Sequence, residues 1–184
     1  MPDNNAILTQ GLTICSLNCI IGMIRKSTES DLVRLAEISV FAKRVAYRPI
    51  FNNDEFSFNV LTVTGVMDVL RMHLDAIWVW EDSNIVKGFV HIEDDEVKEL
   101  YVDWFFQGEG VGTELLNFAV KNGCRFLWVL EHNENAIRFY EKNGFSKTGE
   151  MLAWNDTGQF IIKMATSFSP FGGISDEKQV EDVR

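Results

Sequence analysis

The stretch VDWFFQGEGVGTELLNFAV, residues 102–120, joins a β-like apolar run to a helix-like pattern through three closely spaced glycines. Glycines without Cβ atoms let an anion approach the backbone closely. The N-terminus of the helix that follows adds favourable potential for negative charge. The helical pattern places Val111, Leu115, Phe118 and Ala119 on one face. The stretch therefore predicts a phosphate-binding loop, and a plain glycine-rich turn is the alternative.

Two common phosphate motifs do not fit this loop. The nucleotide motif G-x-x-x-x-G-K-[ST] needs a lysine that reaches the terminal phosphates, and residues 107–113 contain none. The dinucleotide motif G-x-G-x-x-G would need a third glycine where Thr113 stands. What remains is Q-x-x-G-x-G, from Gln107 to Gly112. The amides of Gly108 through Thr113 would then line a concavity at the helix N-terminus.

Composition narrows the class of protein. The chain has 184 residues, which fits one domain, and 46% are hydrophobic. With 27 acidic and 17 basic residues its formal charge is −10. This balance argues against a nucleic-acid partner and favours a cationic or amine-bearing one. Three cysteines at unrelated spacings, Cys15, Cys19 and Cys124, fit no disulfide framework and predict a reducing, cytoplasmic location.

The chain divides into three segments. Residues 1–22 are expected to form an extension, 23–166 the domain, and 167–184 an acidic, mobile tail. The uncharged run Ala6–Ile24 carries several polar residues and no preceding basic segment. We therefore expect neither a signal peptide nor a transmembrane helix, and no membrane partner.

The remaining pattern predicts a mixed α/β domain. A short strand at 22–28 precedes an amphipathic helix, which Pro49 is expected to end. Residues 51–73 read as strand or helix. Three strands in a meander follow, then the glycine loop with its helix, a strand at 124–131, a second helix closed by Asn143–Gly144, and two strands hinged at 155–158. This order predicts three layers around a mixed sheet.

Two blocks resemble the GNAT superfamily of acetyl-CoA-dependent N-acetyltransferases. ELYVDWFFQGEGVGTELLNFA is similar to the strand, pyrophosphate loop and helix of that family. LWVLEHNENAIRFYEKNGF is similar to its next strand and helix, with N-x-x-A-I-x-x-Y-E-x-x-G-F. The blocks occur in the order of the family and cover about 23–166 together with their surroundings. The resemblance implies an α/β/α fold whose mostly antiparallel, twisted sheet is splayed at the cofactor site.

The resemblance also implies a cofactor site. The pantetheine arm would pair with the strand that contains Tyr101 and Val102, and the Val102 amide would polarise the thioester carbonyl. Asn133 and Ala136 would contact the arm, with Ile137 beside them. The pyrophosphate would lie on the glycine loop, which comprises Gln107, Gly108, Glu109, Gly110, Val111, Gly112 and Thr113.

Catalytic roles follow from the same resemblance. Tyr140 would lie near the cofactor sulfur and protonate the leaving thiolate. Glu96, eleven residues before Gln107, or Glu99 would act as the base. Side chains alternate along a strand, so both carboxylates face the cleft only if a bulge intervenes. Two histidines, His91 and His132, are expected to be structural, Cys124 a core residue, and no metal is expected.

The implied activity is acetyl transfer from acetyl-CoA to a primary amine by direct attack on the thioester. The alternative is an acyl-CoA-binding sensor or interaction module with little turnover. Residues 41–73 and 152–158 would form the acceptor side, where Tyr47, Phe51 and other aromatic residues could either contact substrate or pack. The sequence names no acceptor, which could be a small-molecule or a peptide amine, and it allows a homodimer.

Overall fold

A seven-stranded sheet with the order β1-β2-β3-β4-β5-β7-β6 organises the protein. The computed structural model describes residues 22–154 and 157–167. The strands are β1 (Met23–Lys26), β2 (Ile77–Asp82), β3 (Ile85–Glu93), β4 (Glu96–Val102), β5 (Phe126–Leu130), β6 (Ser146–Trp154) and β7 (Gln159–Ala165). The helices are α1 (Leu32–Phe51), α2 (Val63–Met72), α3 (Val111–Lys121) and α4 (Glu134–Lys142). The predicted extension, most of the tail and part of the 155–158 hinge lie outside the described residues.

The sheet separates two hydrophobic cores, which confirms the three-layer prediction. Side chains of β2 alternate between them: Ile77 and Val79 pack with α1 and α2, while Trp80 packs with α3 and α4. Every strand pair is antiparallel except β4 with β5. The predicted mixed, mostly antiparallel sheet is therefore confirmed. Across residues 22–154 and 157–167, none of the helices has the length and apolar character that crossing a bilayer requires.

Two local predictions change in the structure. Pro49 lies inside α1, which continues to Phe51 and ends where Asn52 adopts a left-handed conformation with φ 46°. A proline so near the end costs the helix only one backbone hydrogen bond, so the helix ends two residues later than predicted. The ambiguous stretch after it is helical, with a π-helical turn at Phe56–Val60 before α2.

A bulge in β4 changes which side chains share a face. His91 of β3 pairs with Glu99, but the next residue, Ile92, pairs with Val97, so Lys98 is the extra residue. Val97 and Leu100 consequently both pack in the α3/α4 core. Glu96 and Glu99 therefore lie on the opposite side of the strand, toward α1. The condition for both carboxylates to share one face is met.

A partly buried ion pair joins β1 to the start of α1. The Arg25 guanidinium donates to both carboxylate oxygens of Asp31, at 2.8 and 2.9 Å, and its Nε donates to Glu81 at 2.6 Å. Asp31 also accepts from the backbone N–H and the hydroxyl of Thr28, in a capping box. These bonds, chiefly those from Arg25, hold the pKa of the Asp31 carboxyl below its ordinary value.

Asp31→Asn keeps an oxygen acceptor but loses the charge that faces Arg25, so it should lower the free energy of unfolding by about 1–3 kcal/mol at pH 7. A carboxyl with a lowered folded pKa contributes its stability above the unfolded value of about 3.9 and loses it as pH falls through the folded value. The deficit should accordingly shrink below about pH 4. Urea unfolding of wild type and variant across this range measures it.

The matched control is Asp54→Asn, because Asp54 forms an exposed ion pair with Arg48 at 2.7 Å. This control should unfold at nearly the wild-type urea concentration, since exposed pairs contribute little. A pH-independent deficit for Asp31→Asn would contradict the role given to the Arg25–Asp31 pair.

Candidate active site

The parallel strands β4 and β5 part from each other soon after they begin. They pair only at Glu96–Phe126 and Val97–Leu127. Beyond Val97, the rest of β4 has no strand partner on its β5 side within the part of the chain that the structure describes. The splay implied by the family resemblance is therefore present, and it exposes one backbone edge of β4 at its carboxyl end.

The glycine loop lies directly after this open edge. Gly108 and Gly110 adopt φ values of 82° and 92°, and Gly110 is the N-cap of α3. The first hydrogen bond of the helix runs from the N–H of Glu114 to the carbonyl of Gly110, at 3.0 Å. Within residues 22–154 and 157–167, the six amides from Gly108 to Thr113 donate to no protein acceptor. They form a set of available donors at a helix N-terminus, which is a favourable place for an anion.

The turn before the loop is fixed by Asp103. Its Oδ1 accepts from the N–H of Phe105 at 2.9 Å, which caps the short turn Trp104–Phe106. Its Oδ2 accepts from Arg34 of α1 at 2.7 Å, and its own N–H donates to the carbonyl of Lys87 at 2.8 Å. Sequence reasoning missed this anchor. The Asp at the end of β4 is a capping signal, but its partner on α1 is 69 residues away.

The two blocks that resemble the family contact each other beside the glycine loop. A methyl group added at Gly112 would lie 3.3 Å from the Phe139 ring of α4 and 3.4 Å from Cγ2 of Val102. Gly88 of β3, which pairs with Val102, permits an even closer approach: an added methyl would lie 2.8 Å from the carbonyl oxygen of Tyr101 and 3.2 Å from Val111. These two glycines let α3 and α4 pack tightly against the end of β4. An isolated glycine in a strand pattern was the available signal for Gly88.

Side chains of the loop are held by neighbours. The amide of Gln107 donates to the carbonyl of Val102 at 3.4 Å. Glu109 lies 3.7 Å from the ammonium of Lys87, which is also 3.0 Å from Asp82. Lys87 therefore offsets the one acidic side chain within the loop.

Three tyrosines lie together where the strands part. The Tyr47 and Tyr101 hydroxyls are 3.3 Å apart. Burial raises the pKa of Tyr101 well above its ordinary value, with further contributions from Tyr47, Glu99 and Tyr140. Burial also raises the pKa of Tyr140, with Tyr47 adding to the effect. Tyr140 belongs to α4 and Tyr47 to α1, so groups from both sides of the sheet interact across the gap. The raised pKa values keep the Tyr101 and Tyr140 phenols protonated at neutral pH.

The candidate bases occupy different positions along β4. Glu99 forms an ion pair with Lys43 of α1 at 2.7 Å and lies next to Tyr101 in the strand. Glu96 forms an ion pair with Lys98 at 2.7 Å, at the end of β4 that is still paired with β5. Only Glu99 therefore lies beside the tyrosines.

Most of the other residues singled out in the sequence cap a helix or pack in the core. The Asn133 side chain caps α4 by accepting from the N–H of Ala136 at 3.3 Å. Ile137 is a core residue, and Cys124 is fully buried, which raises its thiol pKa to about 11. His132 is exposed, with 67% of its side-chain surface accessible.

His91 is buried and lies 3.0 Å from Glu93. Burial lowers the pKa of His91, and the Glu93 carboxylate partly opposes this shift.

An open cavity of about 510 Å³ adjoins the carboxyl end of β5. Its wall is formed by the end of α1, the residues after β5 and the start of β7, namely Pro49, Ile50, Glu131, His132, Gly158, Gln159 and Phe160. Because β4 and β5 are parallel, this cavity and the open end of the gap lie at the same edge of the sheet. An aromatic cluster lies nearby: Tyr47 and Phe51 both pack on Trp154, with ring centroids 5.7 and 5.2 Å apart.

Comparisons with known proteins agree with this geometry. Residues 73–147 match the acetyltransferase (GNAT) domain family. An uncharacterized N-acetyltransferase of Methanocaldococcus jannaschii is 35% identical over 114 residues, which are 59% of this chain and 47% of the relative. A second uncharacterized N-acetyltransferase, from Lactobacillus delbrueckii subsp. lactis, is 34% identical over 79 residues, 38% of this chain and 46% of that protein. The chain thus matches about half the length of these relatives.

Solved structures share the fold over most of the described residues. The apo form of YjaB from Escherichia coli has a TM-score of 0.66 and 24% identity, and the likeness covers 81% of this chain and 99% of that one. The PaiA N-acetyltransferase from Thermoplasma acidophilum, in complex with coenzyme A, has a TM-score of 0.56 and 22% identity over 77% of this chain and 97% of that one. The parted strands, the glycine loop and the domain match lead to one conclusion: residues 73–147 form the part of the chain that matches the GNAT acetyltransferase domain.

Proposed function

We propose that this protein transfers the acetyl group of acetyl-CoA to a primary amine by direct attack of the amine on the thioester. The observation that carries the proposal is the row of six unpaired amides, Gly108 to Thr113, beside the open edge of β4. A pyrophosphate needs several donors and little steric bulk, and this loop offers both. The open edge offers backbone groups that an amide-bearing pantetheine arm can pair with.

The proposed reaction requires little more than positioning and proton transfer. The amine nitrogen attacks the carbonyl carbon, a C–N bond forms and the C–S bond breaks. One proton leaves the nitrogen to a base, and the departing sulfur takes a proton from Tyr140. The Val102 amide, at the end of β4, would polarise the carbonyl oxygen. Burial keeps the Tyr140 phenol protonated, so it is available as a donor throughout the neutral range.

We assign the role of base to Glu99 rather than Glu96, acting through water. Glu99 neighbours Tyr101 and faces α1, whereas Glu96 lies where β4 and β5 are still paired. Glu96 and Val102 pair with Glu93 and Gly88 of β3, which are five residues apart, so about 17 Å of strand separates them at 3.3 Å per residue. To accept a proton, Glu99 would either break its ion pair with Lys43, whose ammonium lies 2.7 Å away, or act as base while still paired.

The acceptor would enter through the cavity at the carboxyl end of β5. Glu131 in its wall supplies a negative charge for an ammonium group, and the Tyr47–Phe51–Trp154 cluster supplies aromatic faces that attract cations. These features support a cationic amine as acceptor and do not distinguish a small molecule from a peptide.

A second candidate function is acyl-CoA binding with little turnover. The ion pairs of Glu99 with Lys43 and of Glu96 with Lys98 favour it, because each pair occupies a carboxylate that could otherwise act as base. Calorimetric titration with acetyl-CoA together with a thiol-release assay on a panel of amines separates the two functions. Binding with release supports the enzyme, binding without release supports the second candidate, and no binding contradicts both.

Gly108→Asp and Gly108→Asn form a matched pair that tests the loop. Residue 108 has positive φ, which Asp and Asn tolerate best among side chains other than glycine, and a Cβ there meets no atom within 4 Å. Gly108→Asp should weaken acetyl-CoA binding at least about tenfold more than Gly108→Asn, because only the aspartate repels phosphate at short range. Titration calorimetry measures the affinities, and the difference should shrink at high salt. Equal affinities for the two variants would place the pyrophosphate elsewhere.

Tyr140→Phe should lower kcat by about 10²–10⁴-fold, the usual contribution of a general acid, and leave the Kd for acetyl-CoA nearly unchanged. Because its raised pKa keeps Tyr140 protonated, wild-type turnover should show no loss from this phenol between pH 8 and about pH 10. Steady-state rates and calorimetry on both proteins measure these effects. Unchanged kcat in the variant would remove Tyr140 from the mechanism.

Glu99→Gln should reduce kcat/KM by about 10²-fold at neutral pH and recover part of the loss at higher pH, where more amine is already deprotonated. Glu96→Gln is its matched control and should keep nearly wild-type rates over the same pH range. Rate profiles for both variants test the assignment. The reverse ranking would transfer the role to Glu96, and equal rates in all three proteins would leave the base outside both carboxylates.

A further inference from the structure

Two histidines and a glutamate meet at a site that the proposed acetyl transfer does not use. Nδ1 of His73 lies 2.8 Å from Oε1 of Glu93, and Nε2 of His91 lies 3.0 Å from the same oxygen. The two imidazole rings have centroids 5.0 Å apart at 45°. One ligand atom from each of the three residues can be chosen so that all lie within 4.8 Å of one another. From the sequence alone no metal is expected, and His91 is a possible base for which a structural role is favoured.

We propose that His73, His91 and Glu93 bind a zinc ion. Two imidazole nitrogens and one carboxylate oxygen form a donor set that zinc accepts readily, with water completing a tetrahedron. At Zn–N and Zn–O distances of about 2.0–2.2 Å, tetrahedral ligand atoms lie about 3.3–3.5 Å apart. To match, the two observed contacts to Glu93 need to lengthen by about 0.3–0.7 Å, and the two histidine nitrogens, which lie within 4.8 Å of each other, need to reach the same separation.

The ligands are held by elements with little freedom. His91 and Glu93 are alternate residues of β3, so their side chains leave the same face of the sheet. His91 pairs across the sheet with Ile77 on one side and with Glu99 on the other. His73 ends α2, where its N–H donates to the carbonyl of Leu70 at 3.1 Å and its carbonyl accepts from the N–H of Ala76 at 2.8 Å. Ligands fixed on regular elements favour a preformed site.

One of the three ligand residues is buried and the other two are partly exposed. The side chain of His91 is 8% exposed, whereas His73 is 41% and Glu93 35% exposed. An ion can therefore enter from solvent and contact a buried imidazole at the bottom of the site. The surrounding acidic run, Glu93 to Glu96, and the net charge of −10 raise the local concentration of cations. Lys98, 3.9 Å from the other oxygen of Glu93, is mobile enough at 38% exposure to turn away.

The site would join α2 to the sheet next to the proposed base. His91 is the cross-strand partner of Glu99, so a bound ion would lie one strand away from that carboxylate. Zinc would thus fix the α2–β2 junction against β3. This proposal does not depend on acetyl transfer, because its test needs neither acetyl-CoA nor an amine.

The chain offers a matched control, because it contains three histidines and the third, His132, lies outside the cluster. All proteins in the experiment carry Cys15→Ser and Cys19→Ser, lack an affinity tag and are stripped of metal. The full chain is titrated with Zn²⁺ by calorimetry, and with Co²⁺ while visible absorption is followed. His73→Ala, Glu93→Gln and His132→Ala are titrated in the same way.

The expected result is one zinc ion per chain, a tetrahedral Co²⁺ spectrum and a higher melting temperature with Zn²⁺ that a chelator reverses. His73→Ala and Glu93→Gln should each raise the Kd for Zn²⁺ at least about tenfold, while His132→Ala leaves it unchanged. Both tested ligands are partly exposed, so circular dichroism should show folded proteins. No binding by the wild-type protein, or equal Kd values in wild type and the His73 and Glu93 variants, would overturn the proposal.

Discussion

The parting of β4 and β5 is the constraint on which the rest of the site depends. After two paired residues the strands separate, and the backbone edge of β4 is left open at its carboxyl end. Because a parallel pair ends at one edge of the sheet, the glycine loop after β4 and the cavity after β5 open together. The gap also lets Tyr140, from one face of the sheet, interact with Tyr47 and Tyr101 from the other.

Close packing keeps this opening from collapsing. Gly88 and Gly112 allow α3 and α4 to contact the end of β4 directly, so the loop is built on a rigid base. Asp103 fixes the entry to the loop through Arg34 of α1 and through the capped turn that follows it. The helices on both faces of the sheet thus contribute to the position of one short loop, while the loop amides themselves have no acceptor among the residues that the structure describes.

Sequence reasoning succeeded where the signal was local. The meander, the glycine loop with α3, and α4 with its end at Asn143 are all encoded within a few residues of where they occur. It failed where a partner is distant, as for Arg34 with Asp103, or where His73 meets His91 through the pairing of β2 and β3. The bulge at Lys98 is an intermediate case. The alternation of side chains showed that Glu96 and Glu99 share a face only if a bulge lies between them, and the pairing register of β3 with β4 shows that bulge.

The glycine loop at the start of α3 has a consequence for how the proposed enzyme would respond to the concentrations of acetyl-CoA and free coenzyme A. Within the proposed function, its amides would bind only the pyrophosphate, a group that acetyl-CoA and free coenzyme A share. Binding energy from this loop is therefore the same before and after the reaction, and it contributes nothing to distinguishing the substrate from the product. Within the proposed function, free coenzyme A would compete for the site, and when total coenzyme saturates the protein the rate would follow the ratio of acetylated to free coenzyme.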